Sequence, residues 1–138
     1  MLTRSAILLL LALLGVSYAA VQTVSVVGRL TCNGRPYSGA KLKLYDDNTI
    51  LPDTKLAQVN SDANGMFQLT GTSSNLVFSA DPKFNIYHRC GMTVPVCQYK
   101  SSYKIPKQYV NSGSQSNNQF NAQTIELTLL KKDRDCIN

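Results

Sequence analysis

The sequence predicts an all-β fold, an antiparallel sandwich or barrel of about eight strands. Three observations carry this. Short runs of alternating apolar and polar residues recur between positions 24 and 130. Clusters of Gly, Pro, Asn and Asp separate these runs at the spacing usual for all-β domains. Helical spacing of apolar residues is nearly absent, leaving room for a short helix only around 51–57 or 108–112.

Ahead of the strands, residues 1–19 read as a secretory signal peptide. Arg4 gives a positive n-region, residues 7–14 an apolar h-region, and Ser17 and Ala19 the small residues at −3 and −1, so cleavage is expected after Ala19. The apolar run is too short for a membrane span, which needs about 20 residues. The remaining domain, 20–138, is expected to be secreted and extracellular, and is long enough for one ordinary core. Removing Arg4 from 14 basic residues leaves 13 against 8 acids, a net charge of +5. Mild basicity of this kind favours anionic partners. The sequence has no Asn-x-Ser/Thr acceptor for N-glycosylation.

The strands follow in order. Val24, Val26, Gly28 and Leu30 alternate with Ser25, Val27, Arg29 and Thr31, and Asn33-Gly34 with Pro36 turns the chain. Ala40, Leu42 and Leu44 alternate with Lys41, Lys43 and Tyr45. A polar loop holds Asp46, Asp47, Asn48 and Pro52-Asp53, and a weaker strand spans 56–62. Asp62-Ala63-Asn64-Gly65 is a tight turn with Gly65 placed for positive φ. Strands at 66–69, 76–80 and 83–90 come next, the last two divided by Asp81-Pro82. A strand at 98–105 stops at Pro106. Residues 111–121 form a loop rich in Ser, Asn and Gln; 124–130 is a strand with Ile125, Leu127 and Leu129 on one face; 131–138 is a charged tail.

Cys32, Cys90, Cys97 and Cys136 all lie in the mature domain, and an even count in a secreted chain points to two disulfides. Proximity favours Cys90–Cys97, which leaves Cys32–Cys136 by elimination, although three connectivities are formally open. Catalytic chemistry is thinly supplied. The mature chain has one histidine, His88, and one glutamate, Glu126, and no serine sits in a strand–elbow–helix context that would support a triad. No zinc spacing is present, and His88 with Cys90 and Cys97 makes only a partial set whose thiols are better used in disulfides. Asp46, Asp47 and Asp53 could cluster around calcium, but aspartates in loops ordinarily make turns. No metal or cofactor is therefore expected.

Between positions 83 and 107 the chain carries no acid. Lys83, Arg89, Lys100, Lys104 and Lys107 fall there, interleaved with Tyr87, Tyr99 and Tyr103 and followed by Tyr109. Lysine and arginine beside tyrosine suit phosphate headgroups or acidic glycans at a surface. The expected ligand-facing set is Lys83, Tyr87, Arg89, Lys100 and Lys104, with strand alternation expected to keep all five from facing one way. No nucleic-acid-binding motif is present, so nucleic acid is not an expected partner.

The order of motifs adds a resemblance. Gly28-Arg29-Leu30-Thr31-Cys32-Asn33-Gly34-Arg35-Pro36 precedes Lys41-Leu42-Lys43-Leu44-Tyr45. Then come Asp62, Gly65 and Phe67, Ile86-Tyr87-His88-Arg89-Cys90, Ile105-Pro106-Lys107-Gln108-Tyr109, Thr124-Ile125-Glu126-Leu127 and Asp135-Cys136. The series resembles the nematode transthyretin-like family of small secreted proteins over essentially the whole mature chain. The resemblance implies a transthyretin-like (immunoglobulin-like) β-sandwich of two four-stranded sheets over 20–138. In that fold the first strand runs parallel to the seventh, which would put Cys136 near the 90–97 loop and Cys32 far from it.

The resemblance also implies a non-enzymatic extracellular binding or adaptor role, with anionic phospholipid or a cell-surface receptor as the partner. The alternative it suggests is a carrier of a small hydrophobic ligand, held between the sheets or in an oligomer channel. Hydroxyisourate hydrolases share the fold but use more than one histidine, an arginine and a C-terminal Tyr-Arg-Gly-Ser. This chain has one histidine and ends Asp135-Cys136-Ile137-Asn138, so the hydrolase site does not carry over.

Overall fold

A computed structural model describes residues 21–47, 54–73 and 80–137. The expected signal peptide, Asn48 and Asp53 of the polar loop, and most of the strand expected at 76–80 lie outside the described residues.

Two sheets pack face to face. The first holds β1 (Gln22–Cys32), β2 (Arg35–Pro36), β5 (Met66–Ser73), β8 (Asn111–Ser112) and β9 (Phe120–Glu126). The second holds β3 (Lys41–Asp46), β4 (Thr54–Asn60), β6 (Pro82–His88), β7 (Gln98–Lys104) and β10 (Asp133–Asp135), in the order β10-β7-β6-β3-β4. All pairings are antiparallel except β1 with β9. The architecture is a transthyretin-like β-sandwich. Among the described residues each sheet has five strands where four were expected: the short β2 and β8 join β1, β5 and β9 in the first, and β10 joins the four longer strands of the second.

The core follows from alternation. Val24, Val26, Leu30, Leu42, Leu44, Leu69, Phe84, Ile86 and Leu127 are all buried between the sheets. Phe84 stacks on Tyr103 at 5.1 Å between centroids and meets Phe67 across the sandwich at 5.8 Å. The polar face of β1 is also covered: Ser25 pairs with Thr70 at 2.8 Å and receives a bond from the Gln119 amide. The Asp62–Gly65 turn forms as expected, with Asp62 accepting from the Asn64 and Met66 amides. Gly65 takes φ 76°, and a Cβ there would run into the Leu30 carbonyl oxygen.

The C-terminal third departs from expectation in three places. β8 and the start of β9 lie inside the expected 111–121 loop. β9 ends at Glu126 rather than continuing to 130, because the Glu126 carboxylate accepts from both the amide and the hydroxyl of Thr128 and winds Leu127–Leu129 into a 3₁₀ turn. Leu127 is thereby buried and Leu129 left 83% exposed, although both were expected on one apolar face. The charged tail contains β10, whose Asp133 lies opposite Lys100 in β7. Its charged sequence hides it from a reading based on apolar alternation. The second 3₁₀ turn, Lys107–Tyr109, falls where a short helix was possible; the 54–57 part of the other candidate is strand.

The disulfide pairing is corrected. The bonds are Cys32–Cys90 and Cys97–Cys136, not Cys90–Cys97 and Cys32–Cys136. Cys90 is buried and belongs to the core cluster, against which Cys32 packs at the end of β1, with their Cα atoms 5.8 Å apart. An inward-pointing Cys90 turns away from Cys97 despite its nearness in sequence, and it clamps the two sheets together. The second bond follows from register. Asp135 lies opposite Gln98, so the next step along antiparallel strands sets Cys136 beside Cys97, with Cα atoms 4.5 Å apart. Cys136 is thus near the 90–97 loop as expected, and Cys32 is near it too, against expectation.

Candidate functional site: the basic face of the second sheet

Core residues Phe84, Ile86 and His88 point inward from β6, so Lys83, Asn85 and Tyr87 point outward. The registers then decide the rest. β7 sets Lys104 opposite Lys83, Ser102 opposite Asn85 and Lys100 opposite Tyr87. β3 sets Tyr45, Lys43 and Lys41 opposite the same three residues. β4 places Lys55 opposite Tyr45. Four of the five expected residues, Lys83, Tyr87, Lys100 and Lys104, therefore share one sheet face, and Arg89 is set apart from them. The chosen positions have the same parity within each strand, and the hairpin register matches the two parities.

Six lysines converge on this face: Lys41, Lys43, Lys55, Lys83, Lys100 and Lys104. Asp47 sits 3.6 Å from Lys83 and 3.7 Å from Lys104, Asp81 is 3.9 Å from Lys104, and Asp135 is 4.0 Å from Lys100. These are partly or well-exposed ion pairs of small energetic weight. Lys104 keeps 71% of its side chain exposed. In the middle of the face the Lys43 ammonium lies 5.1 Å from the centroid of the Tyr87 ring, and Ser102 donates to Asn85 at 2.7 Å. Tyr87, Asn85 and Lys43 are buried on this face, so the charges it offers to anionic groups are those of Lys41, Lys55, Lys83, Lys100 and Lys104.

Arg89 is at the end of β6 and does different work. Its Nε donates to the Cys97 carbonyl at 3.1 Å, and its amide donates to the Tyr37 hydroxyl at 2.8 Å. It ties down the loop between Cys90 and Cys97. The sequence reading missed Lys41, Lys43, Tyr45 and Lys55. The first three were visible as the polar side of an alternating strand; what could not be seen was that β3 pairs with β6.

The residues that might have carried chemistry are committed to structure. His88 is buried, its Nδ1 accepts from the Cys90 amide at 3.1 Å, and its ring lies 6.0 Å from Tyr37 and 5.8 Å from Tyr99. Burial, with a contribution from nearby Lys132, lowers its pKa to about 4, so it is neutral at physiological pH. Glu126 accepts from the Thr128 hydroxyl and amide, the Thr31 hydroxyl, and the amides of Asn33 and Gly34. Those bonds, led by the Thr128 hydroxyl, hold its pKa down to about 2. It closes the β1–β2 turn. Asp46 accepts from Ser73 and from the Asp81 amide, and Asp47 faces lysines, so neither is arranged as a calcium ligand. Among the described residues no group of three or more His, Cys, Asp or Glu is placed to hold a metal ion, and no helix is long and apolar enough to cross a membrane.

Comparison with known proteins fits this architecture. The profile of the transthyretin-like family matches residues 27–106, which include all of β3 to β7 and hence the lysines of the basic face. Transthyretin-like protein 5 of Caenorhabditis elegans is 38% identical, the match covering 96% of this chain and 99% of that protein. Transthyretin-like protein 33 of the same nematode is 37% identical, over 95% of this chain and 93% of its own length. Transthyretin-like protein 2 is 34% identical, over 85% and 84%. The chain belongs to the transthyretin-like family.

Proposed function

We propose that this is a secreted, non-enzymatic extracellular binding or adaptor protein that recognises anionic phospholipid headgroups at a cell surface through the basic face of its second sheet. The observation that carries the reading is that the β3–β6–β7 registers bring Lys41, Lys83, Lys100 and Lys104 onto one surface. Lysines near an anionic leaflet each contribute about 1 kcal/mol, so a small cluster gives useful, salt-sensitive attraction. The commitment of His88 and Glu126 to buried or hydrogen-bonded structural roles supports a binding role over a hydrolytic one. The carrier alternative would need space for a ligand, and the interior between the sheets is occupied by Phe67, Phe84 and Tyr103.

The test is co-sedimentation with phosphatidylcholine vesicles, with and without phosphatidylserine. Binding is expected only to the anionic vesicles and should weaken as salt rises. K83Q/K100Q/K104Q should lower affinity by about ten-fold or more. Equal, negligible binding to both vesicle types would sink the phospholipid reading.

A further inference from the structure

The loop between Cys90 and Cys97 is the least explained part of the surface. Residues 91–96 read Gly-Met-Thr-Val-Pro-Val, without a charge. Val94 is 58% exposed, Val96 is 54% exposed and Pro95 is exposed between them. Ile137 is 92% exposed and follows Cys136, so it flanks the same disulfide as Val96. This exposure is held in place. The loop is fixed at one end by Cys32–Cys90 and at the other by Cys97–Cys136. The Val96 amide donates to the Val94 carbonyl at 2.8 Å, a γ-turn around Pro95. Arg89 donates to the Cys97 carbonyl and Arg134 to the Val96 carbonyl, the latter at 2.7 Å. Both arginines are themselves exposed.

The result is a small apolar knob with cations at its base. It also adjoins the basic face, since Tyr87 and Lys100 form the cross-strand pair on that face nearest to this loop. Three or four exposed apolar side chains are far fewer than the roughly 20 residues a side of a stable protein–protein interface. They do suffice for shallow burial at a bilayer surface when nearby cations supply the remaining attraction.

We infer that the Val94–Val96 tip, with Ile137 beside it, inserts into the interfacial region of an anionic bilayer while Arg89 and Arg134 meet the headgroups. The inference rests on the phospholipid reading above and adds where and how the protein enters the lipid. It predicts two-part binding: a salt-sensitive contribution from the basic face and a salt-resistant one from the tip.

The chain has no tryptophan, so Val96→Trp gives a single fluorescent reporter. With phosphatidylserine-containing vesicles its emission should shift to the blue and be quenched by lipids brominated near the headgroup end of the acyl chain. Separately, V94D/V96D should lower vesicle affinity by about ten-fold with its thermal melt unchanged, because these side chains lie outside the core. Wild-type vesicle binding combined with unshifted emission from the Val96→Trp reporter, or with undiminished V94D/V96D binding, overturns tip insertion and leaves the headgroup reading standing. Absence of wild-type binding overturns both. A change in oligomeric state in V94D/V96D with vesicle binding intact assigns the tip to a contact between copies and also overturns the inference.

Discussion

The two disulfides are chemically the same bond in two opposite settings. Cys32–Cys90 is turned inward, packed into the core between the ends of β1 and β6. Cys97–Cys136 lies at the edge of the second sheet, with Cys136 exposed, and fastens the last strand to β7. Their sequence separations are 58 and 39 residues. Chain entropy alone would separate them by only about 0.4 kcal/mol. The side of the strand on which each sulfur falls makes the larger difference. The inner bond joins sheets; the outer one holds a tail and presents a loop.

Removing each bond should show this. C32A/C90A is expected to lose about 3–5 kcal/mol in urea unfolding, the entropic contribution plus a hole in the core. A loss no greater than that of C97A/C136A would break the contrast.

Acid should act on the inner bond's surroundings next. His88 bonds the Cys90 amide, and Glu126 bonds the Asn33 and Gly34 amides just after Cys32. Both groups have folded pKa values below their ordinary ones, so the unfolded chain takes up protons first and stability falls with pH. The His88 contribution is complete above pH 6.5 and is lost as pH falls through about 4, amounting to about 2–3 kcal/mol at that lower pH. The Glu126 contribution disappears between about 4.5 and 2. H88Q should flatten the melting-temperature profile between pH 6.5 and 4, whereas C97A/C136A should leave its slope unchanged.

C97A/C136A should itself cost about 2–3 kcal/mol, less than C32A/C90A because little core packing is lost with it. Its clearer signature is faster hydrogen exchange at the amides of Val96 and β10. In native wild-type protein, mild reductant should open Cys97–Cys136 before Cys32–Cys90, as mass spectrometry after alkylation would record. The smallest effect belongs to Tyr37→Phe. It removes the acceptor for the Arg89 amide and should lower stability by about 1 kcal/mol while both disulfides form normally.

Much of the sandwich was legible in the sequence. Alternation marked β1, β3, β6 and β7, and the Asp62–Gly65 turn was readable because one residue must take positive φ there. The basic stretch from Lys83 to Lys104 was equally plain. Its unity as a face was not, because strand pairing depends on contacts between distant segments. β3 lies far ahead of β6 along the chain, and nothing local tells Lys43 that it will rest on Tyr87. The same holds at Glu126, where a carboxylate gathering donors from Thr31, Asn33, Gly34 and Thr128 ended a strand that an apolar pattern would have carried on to 130.

Near neighbours and a two-residue period dictate the strand character, the two faces of each strand, the tight turns and the positive charge of the 83–107 stretch. These could be read from the chain before it folds. Which cysteines meet, that a charged tail becomes a strand, and that six lysines from four strands share a surface were settled only in three dimensions. Those outcomes depend on register and on which side chains the core takes inward, and both are fixed only when the sheets pack.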